Sequence, residues 1–174
     1  AIGIALWLGF RFNINFDSPY RSATITEFWR RWHISLSSWL RDYLYIPLGG
    51  SRRGRLRTYL NLLITMLLGG LWHGASLRFI LWGGMHGVAL ALHKLYMQIC
   101  PWARPDGASM GRLRRYLGMF ITFHFVCFAW IFFRMPTMEG IGQMFEMIRY
   151  EFHPEIIPQF IEGYWLVVTL IVLG

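Results

Sequence analysis

The sequence predicts an all-α, polytopic transmembrane protein, and three observations carry that prediction. Of 174 residues, 55% are hydrophobic and 18% aromatic. Only 15% are charged, well below the roughly 25% of an average soluble domain. The remaining charges gather in short blocks, and the apolar runs between them are long enough to enter or cross a bilayer.

The opening "AIGIALWLGF" reads as the tail of a spanning helix, and the final "YWLVVTLIVLG" (164–174) as the start of another. That last run falls short of the ~30 Å of hydrocarbon a span must cover. Residues 1–174 are therefore expected to be a single fragment, cut at both ends, of one larger multi-span domain. The first stretch has neither a basic leader nor a cleavage site, so it does not read as a signal peptide.

Residues 11–57 carry nine arginines against Asp17, Glu27 and Asp42, a net of +6. Residues 94–115 set Lys94, Arg104, Arg112, Arg114 and Arg115 against Asp106, a net of +4. Residues 134–162 set Arg134 and Arg149 against five glutamates, a net of −3. Short basic loops stay on the cytoplasmic side. The apolar run 60–92 joins the two basic blocks, so it should go in and come back as two short helices. Each would be roughly 24 Å long at 1.5 Å per residue, with the turn near 74–78, where Gly74, Ser76 and Arg78 interrupt it. A competing count gives one tilted span plus a re-entrant piece. "YLGMFITFHFVCFAWIFF" (116–133) then fits one outward span, "TMEGIGQMFEMIRY" (137–150) an amphipathic surface helix, and the terminal run a re-entry. Basic blocks flanking spans exclude nucleic acid as the partner that a net charge of +8 would otherwise suggest.

"TITEFWRRWHISLSSWLRDYL" (24–44) puts Phe28, Trp29, Trp32, His33, Leu36, Trp39, Leu40, Tyr43 and Leu44 on one helical face. It reads as one amphipathic helix, or as two pieces joined near the serines, with Thr24 or Thr26 as cap. Tryptophans and arginines together suit a membrane interface. In "YIPLGGSRRGRLRTY" (45–59), Pro47, Gly49, Gly50 and Gly54 oppose a regular helix. Its arginines either anchor topology or meet phosphates of a coenzyme or an acidic carrier.

Six histidines are the candidates for chemistry. His73, in "GGLWHGAS", lies in the longest apolar run. An imidazole there must be hydrogen-bonded or face water, and its near-neutral titration suits a general base. Gly69, Gly70 and Gly74 strip bulk from around it, which serves close helix packing as well as substrate access. On the residues alone, a packing role and a catalytic role stand level. His33 shares the aromatic face with Trp32. His86 sits among glycines, His93 beside Lys94 at an interfacial position, His124 inside a span, and His153 on the surface. There is no HExxH, no cysteine pair with metal spacing, no GxSxG elbow and no glycine-rich nucleotide loop. No metal is expected, and Cys100 and Cys127 suggest no disulfide.

"FWRRWHISLSSWLRDYLYIPLGG" followed by "YLNLLITMLLGGLWHGASLRFILWGGMHG" resembles the membrane-bound O-acyltransferase (MBOAT) family, in its alginate and polysaccharide O-acetylation branch. "NFDSPYRSATITEFWRRWH" and "FHFVCFAWIFFR" resemble the same branch, so the likeness runs from about residue 8 to residue 135. Subunits that transfer D-alanine to teichoic acids share the "WHISLS" and "WHG" elements. The resemblance implies a ring of tilted helices with re-entrant and amphipathic members around a thinned wall, in the bacterial inner membrane. It implies His73 as the catalytic histidine and His33 as a second family histidine lining the donor tunnel. No bound cofactor is implied. The donor would be acetyl-CoA or an acyl-carrier thioester, taken from the cytoplasm. The acceptor would be a hydroxyl of an exported polysaccharide such as alginate, or a periplasmic acetyltransferase partner, with membrane lipid around. Transfer of D-alanine or another acyl group, and a transporter or scaffold for a periplasmic enzyme, are the alternatives. Trp72, Trp32 and Arg78 would shape the pore or stabilise developing charge.

Overall fold

A computed structural model of the chain describes residues 2–100, 111–151, 153–159, 162, 163 and 165. Every regular element among them is helical: α1 (Ile2–Trp7), α2 (Ile25–Arg31), α3 (Ile34–Leu40), α4 (Arg55–His73), α5 (Leu77–Ile99), α6 (Arg112–Arg134) and α7 (Met138–Tyr150). A 3-10 turn (Pro19–Arg21) precedes α2, and a π turn (Arg41–Tyr45) continues α3. The chain divides into two compact units, Ala1–Arg134 and Met135–Gly174.

The expected hairpin is α4 and α5, turning at residues 74–76. Its arms are longer than the apolar run suggested. At 19 and 23 residues they span about 28 and 34 Å. Helix α4 starts at Arg55, so Arg55 and Arg57 are helical, contrary to the loop expected through residue 59. Charged residues at the ends are tolerated because long arginine stems let their heads reach water. Glycine torsions confine the irregular stretch to 46–54, with φ at 110° for Gly49 and 85° for Gly54. Polar groups on the buried side of α4 find hydrogen bonds within the fold. Asn61 Nδ2 donates to the Gly50 carbonyl at 3.0 Å, and Thr65 Oγ1 to the Asn61 carbonyl at 2.7 Å. At the open end, Tyr59 Oη donates to Gln98 Oε1 at 2.8 Å and Lys94 Nζ to Ser51 Oγ at 2.7 Å.

Glycine brings the two arms together. A Cβ at Gly70 would overlap the Phe79 carbonyl oxygen, and one at Gly83 the Met66 carbonyl oxygen. Four residues on, a Cβ at Gly87 would stand 3.0 Å from Leu63 Cα. Gly83 and Gly87 thus form a small-xxx-small stripe that lets backbones approach where side chains would hold them apart.

Helix α6 is the one described helix long and apolar enough to cross a membrane by itself. It packs on α5 and on the Pro19–Arg21 turn. Ile25, Phe28 and Trp29 of α2, Met66 of α4, Trp82 of α5, and Val126 and Ala129 of α6 form the buried core.

The 24–44 strip is two pieces, joined at Trp32–His33 just ahead of Ser35, Ser37 and Ser38. Thr24 caps α2, its Oγ1 accepting from the Glu27 backbone N–H at 3.1 Å, while Glu27 Oε2 accepts from Ala23 N–H at 2.9 Å. The helix stops at Arg31, and His33 takes φ 42°, ψ 58°. That left-handed residue turns the chain into α3. The new helix start is capped from outside, since Ile34 and Ser35 N–H donate to the backbone oxygen and Oδ1 of Asn15 at 2.9 and 3.0 Å. The join itself is made by a remote segment. Ser37 Oγ simply bonds back to the Trp32 carbonyl at 2.9 Å.

In the second unit, α7 fits the expected amphipathic segment, with Thr137 Oγ1 accepting from Gly140 N–H at 3.1 Å. The run from residue 164 lies, Trp165 apart, outside the described residues, as does 101–110 in the second basic block.

Candidate active site

His73 is the last residue of α4, and Gly74 follows at φ 153°, ψ 153°. That torsion suits glycine and directs the chain into the turn. The imidazole is half-buried in an aromatic cage. Its ring centroid lies 4.9 Å from Trp72, 4.9 Å from Phe133, 5.3 Å from Trp82 and 6.1 Å from Phe79. Three of these contacts are edge-to-face, the preferred geometry for aromatic pairs. Arg78 holds the cage together: its Nη1 donates to the Phe133 carbonyl at 3.0 Å, and its guanidinium lies 4.2 Å over the Phe79 ring.

His33 lies in the same aromatic cluster. Its ring is 5.8 Å from Phe16 and 6.5 Å from Trp72. The Trp72 indole therefore touches both imidazoles while remaining 61% exposed. His33 Nδ1 is buried and has no hydrogen-bond partner among the described residues.

The other histidines have local employment. His86 is 1% exposed, and its Nδ1 accepts from Trp29 Nε1 at 3.2 Å. His93 is half-buried and shares a 2.9 Å hydrogen bond with Thr26 Oγ1. His124 lies on an exposed face of α6, bonded to the carbonyl of Phe120 at 2.8 Å. His153 is exposed beside Glu155. Among the described residues no three His, Cys, Asp or Glu side chains gather as metal ligands would. Trp32 packs on Trp130 and Phe16, at 5.1 and 4.8 Å, and Trp130 in turn lies 5.1 Å from Phe133 of the His73 cage. The Arg41 guanidinium, hydrogen-bonded at 2.7 Å, holds the Asp42 carboxyl below its usual range at the exposed π turn. Trp82, Phe79 and Phe133 were not singled out from sequence. The signal for the first two was available: residues just beyond a tight turn fold back onto the helix end before it.

The family model for the membrane-bound O-acyltransferases matches residues 1–136. The chain belongs to that family. It is 51% identical over 146 residues to the probable alginate O-acetylase AlgI of Pseudomonas fluorescens, covering 83% of this chain and 28% of that protein. It is 47% identical to the peptidoglycan O-acetyltransferase of Helicobacter pylori, with 80% and 25% covered. It is 29% identical to the teichoic acid D-alanyltransferase of Streptococcus thermophilus, with 76% and 35% covered. The chain thus spans about a quarter to a third of the length of these relatives.

Proposed function

We propose that this chain is the catalytic part of a multi-pass O-acyltransferase in the bacterial inner membrane, moving an acetyl group from a cytoplasmic thioester to a hydroxyl of an exported polysaccharide. The 1–174 segment forms one piece of that domain, and α4, α5 and α6 are its membrane-crossing helices within a ring of tilted and re-entrant helices. The observation that carries the reading is the His73 cage, an imidazole at the tip of a glycine-packed hairpin with His33 sharing its Trp72 wall.

The chemistry follows from the groups present. Neutral His73 takes the proton of the acceptor hydroxyl as the oxygen attacks the acyl carbon. The carbon–sulfur bond breaks, and the imidazolium returns the proton to the departing thiolate. The ester is made without a covalent enzyme intermediate. His33 orients the donor through its buried Nδ1. The cage walls hold both reactants in line and exclude competing water. The donor is acetyl-CoA or an acyl-carrier thioester, and the acceptor is alginate, a related polymer, or a periplasmic acetyltransferase that relays the group. Similarity to alginate O-acetylases and a peptidoglycan O-acetyltransferase at 47–51% identity, against 29% for a D-alanyltransferase, favours acetyl over D-alanyl transfer.

Membranes carrying the full-length protein, supplied with radiolabelled acetyl-CoA and polymer, test the reading. His73→Ala should abolish label transfer while leaving the protein folded and inserted. Normal ester formation in that variant would remove His73 as the base. Movement of acetyl groups without ester formation would make the protein a conduit, and a requirement for D-alanyl thioester would change the acyl group.

A further inference from the structure

His86 and His93 take no part in the transfer described above, yet both are bound to α2. Trp29 Nε1 donates to His86 Nδ1 at 3.2 Å across 57 residues of sequence, in the buried core. His93 Nδ1 and Thr26 Oγ1 share a 2.9 Å hydrogen bond across 67 residues. The two histidines are seven residues apart on α5, hence on one face. Thr26 and Trp29 are three apart on α2 and likewise neighbours. The pairing runs in opposite order: 26 meets 93, and 29 meets 86. Helix α2 is therefore antiparallel to α5, and its next residues point back toward the start of α5. Trp29 also meets Trp82 at 5.9 Å, one turn nearer that end. His33 arrives there just past the helix stop, beside the α4–α5 turn that carries His73.

We propose that His86 and His93 form a two-rung clasp that sets the register of α2 on α5 and so places His33 beside the His73 cage. They are positioning residues. The apolar contacts of Ile25, Phe28 and Trp29 are non-directional and would survive a slip along α5. The clasp would not, because a slipped α2 leaves a buried imidazole nitrogen and an indole N–H unpaired. A slip of one turn displaces His33 by about 5 Å, enough to take it out of the Trp72 contact. His86 is held further by Phe28, Trp82 and Phe125, with ring centroids at 6.2, 4.9 and 5.3 Å, so its acceptor nitrogen has a fixed direction. The link from clasp to turnover rests on the proposed roles of His33 and His73; the clasp itself does not.

The test uses the full-length protein in membranes, native cysteines replaced by serine, with spin labels at the exposed positions Ser35 and Leu71. These flank His33 and His73, and their distance distribution reports the juxtaposition without reference to activity. In the H86L/H93L double variant the distribution should broaden or shift, and kcat for acetyl transfer from acetyl-CoA should fall about tenfold to a hundredfold. H86L alone should shift the distribution in the same direction, and H86N, which places an acceptor oxygen near the original Nδ1, should restore both readouts. W29F, which removes the donor N–H together with part of the indole's bulk, should shift the distribution as leucine does, covering the case in which the double variant fails to insert. An unchanged distance in H86L/H93L and W29F, or H86N behaving like H86L, overturns the clasp. A broadened distance with undiminished transfer supports the clasp and overturns the His33–His73 reading instead.

Discussion

Replacing Gly83 by alanine puts a methyl group where there is no room for one, and its neighbour supplies the control. A Cβ at Gly83 would overlap the Met66 carbonyl oxygen and stand 3.3 Å from Gly70 Cα. These are backbone atoms, so no rotamer relieves the contact; α4 and α5 must separate by roughly 1 Å to restore van der Waals distance. Overpacking of this kind costs about 1–3 kcal/mol, against about 1 kcal/mol gained from replacing a helical glycine. Gly84→Ala gains the same propensity, but its Cβ meets only Leu67 Cδ2, at an ordinary 3.5 Å. The difference between the two variants therefore isolates the overlap, at about 1–3 kcal/mol. Thermal unfolding of the full-length protein in detergent measures it. G84A should melt at or above the parent temperature and G83A below both. G83A should also lose about tenfold to a hundredfold in transfer rate, because separating the arms moves His73 away from Phe79 and Trp82. Equal melting temperatures for the two variants would refute the close approach of the helices and the packing argument built on it.

Thr24→Ala should destabilise by about 1 kcal/mol through loss of the α2 cap, and Thr24→Ser should restore most of it in the same melting assay. Arg78→Met frees the Phe133 carbonyl and uncovers Phe79, so it should lower kcat more than the donor KM in labelled acetyl-CoA assays. Asp42→Asn should lower melting only slightly at neutral pH and leave transfer unchanged, since the Arg41 pair is exposed. Because Arg41 lowers the Asp42 carboxyl below its ordinary value, whatever the pair adds is present at neutral pH and lost on acidification. A pH titration of melting for parent and D42N should therefore converge at low pH.

The hairpin was legible in the sequence because glycine, serine and arginine punctuate an otherwise apolar run, and turn chemistry is local. The Thr24 cap was legible for the same reason. A join near the serines was legible as an alternative, but its exact place at His33 was not. Asn15 supplies its hydrogen bonds from twenty residues upstream of Ser35, and nothing in the 24–44 periodicity reports a distant partner. The ends of α4 and α5 ran past the apolar boundaries because Thr58 bonds to the Gly54 carbonyl and Tyr59 to Gln98 inside the fold, which hydropathy cannot see. Apolar surroundings made His73 and His33 candidates, the motifs resembling the acyltransferase family selected them from the six histidines, and the structure brings them to one indole. The use of His86 and His93 as hydrogen-bonding partners of α2 was hidden, because pairing across 57 and 67 residues leaves no local trace.

The left-handed torsion at residue 33 gives mutational drift there an unusual shape. Asparagine and glycine settle into such a torsion readily, so a descendant carrying either would keep the bend between two helices while discarding the imidazole. Valine or isoleucine would spoil the bend itself. Ancestry at this one site can therefore shed chemistry without shedding architecture, and a relative with asparagine here would be a natural experiment in which the scaffold outlives its reagent.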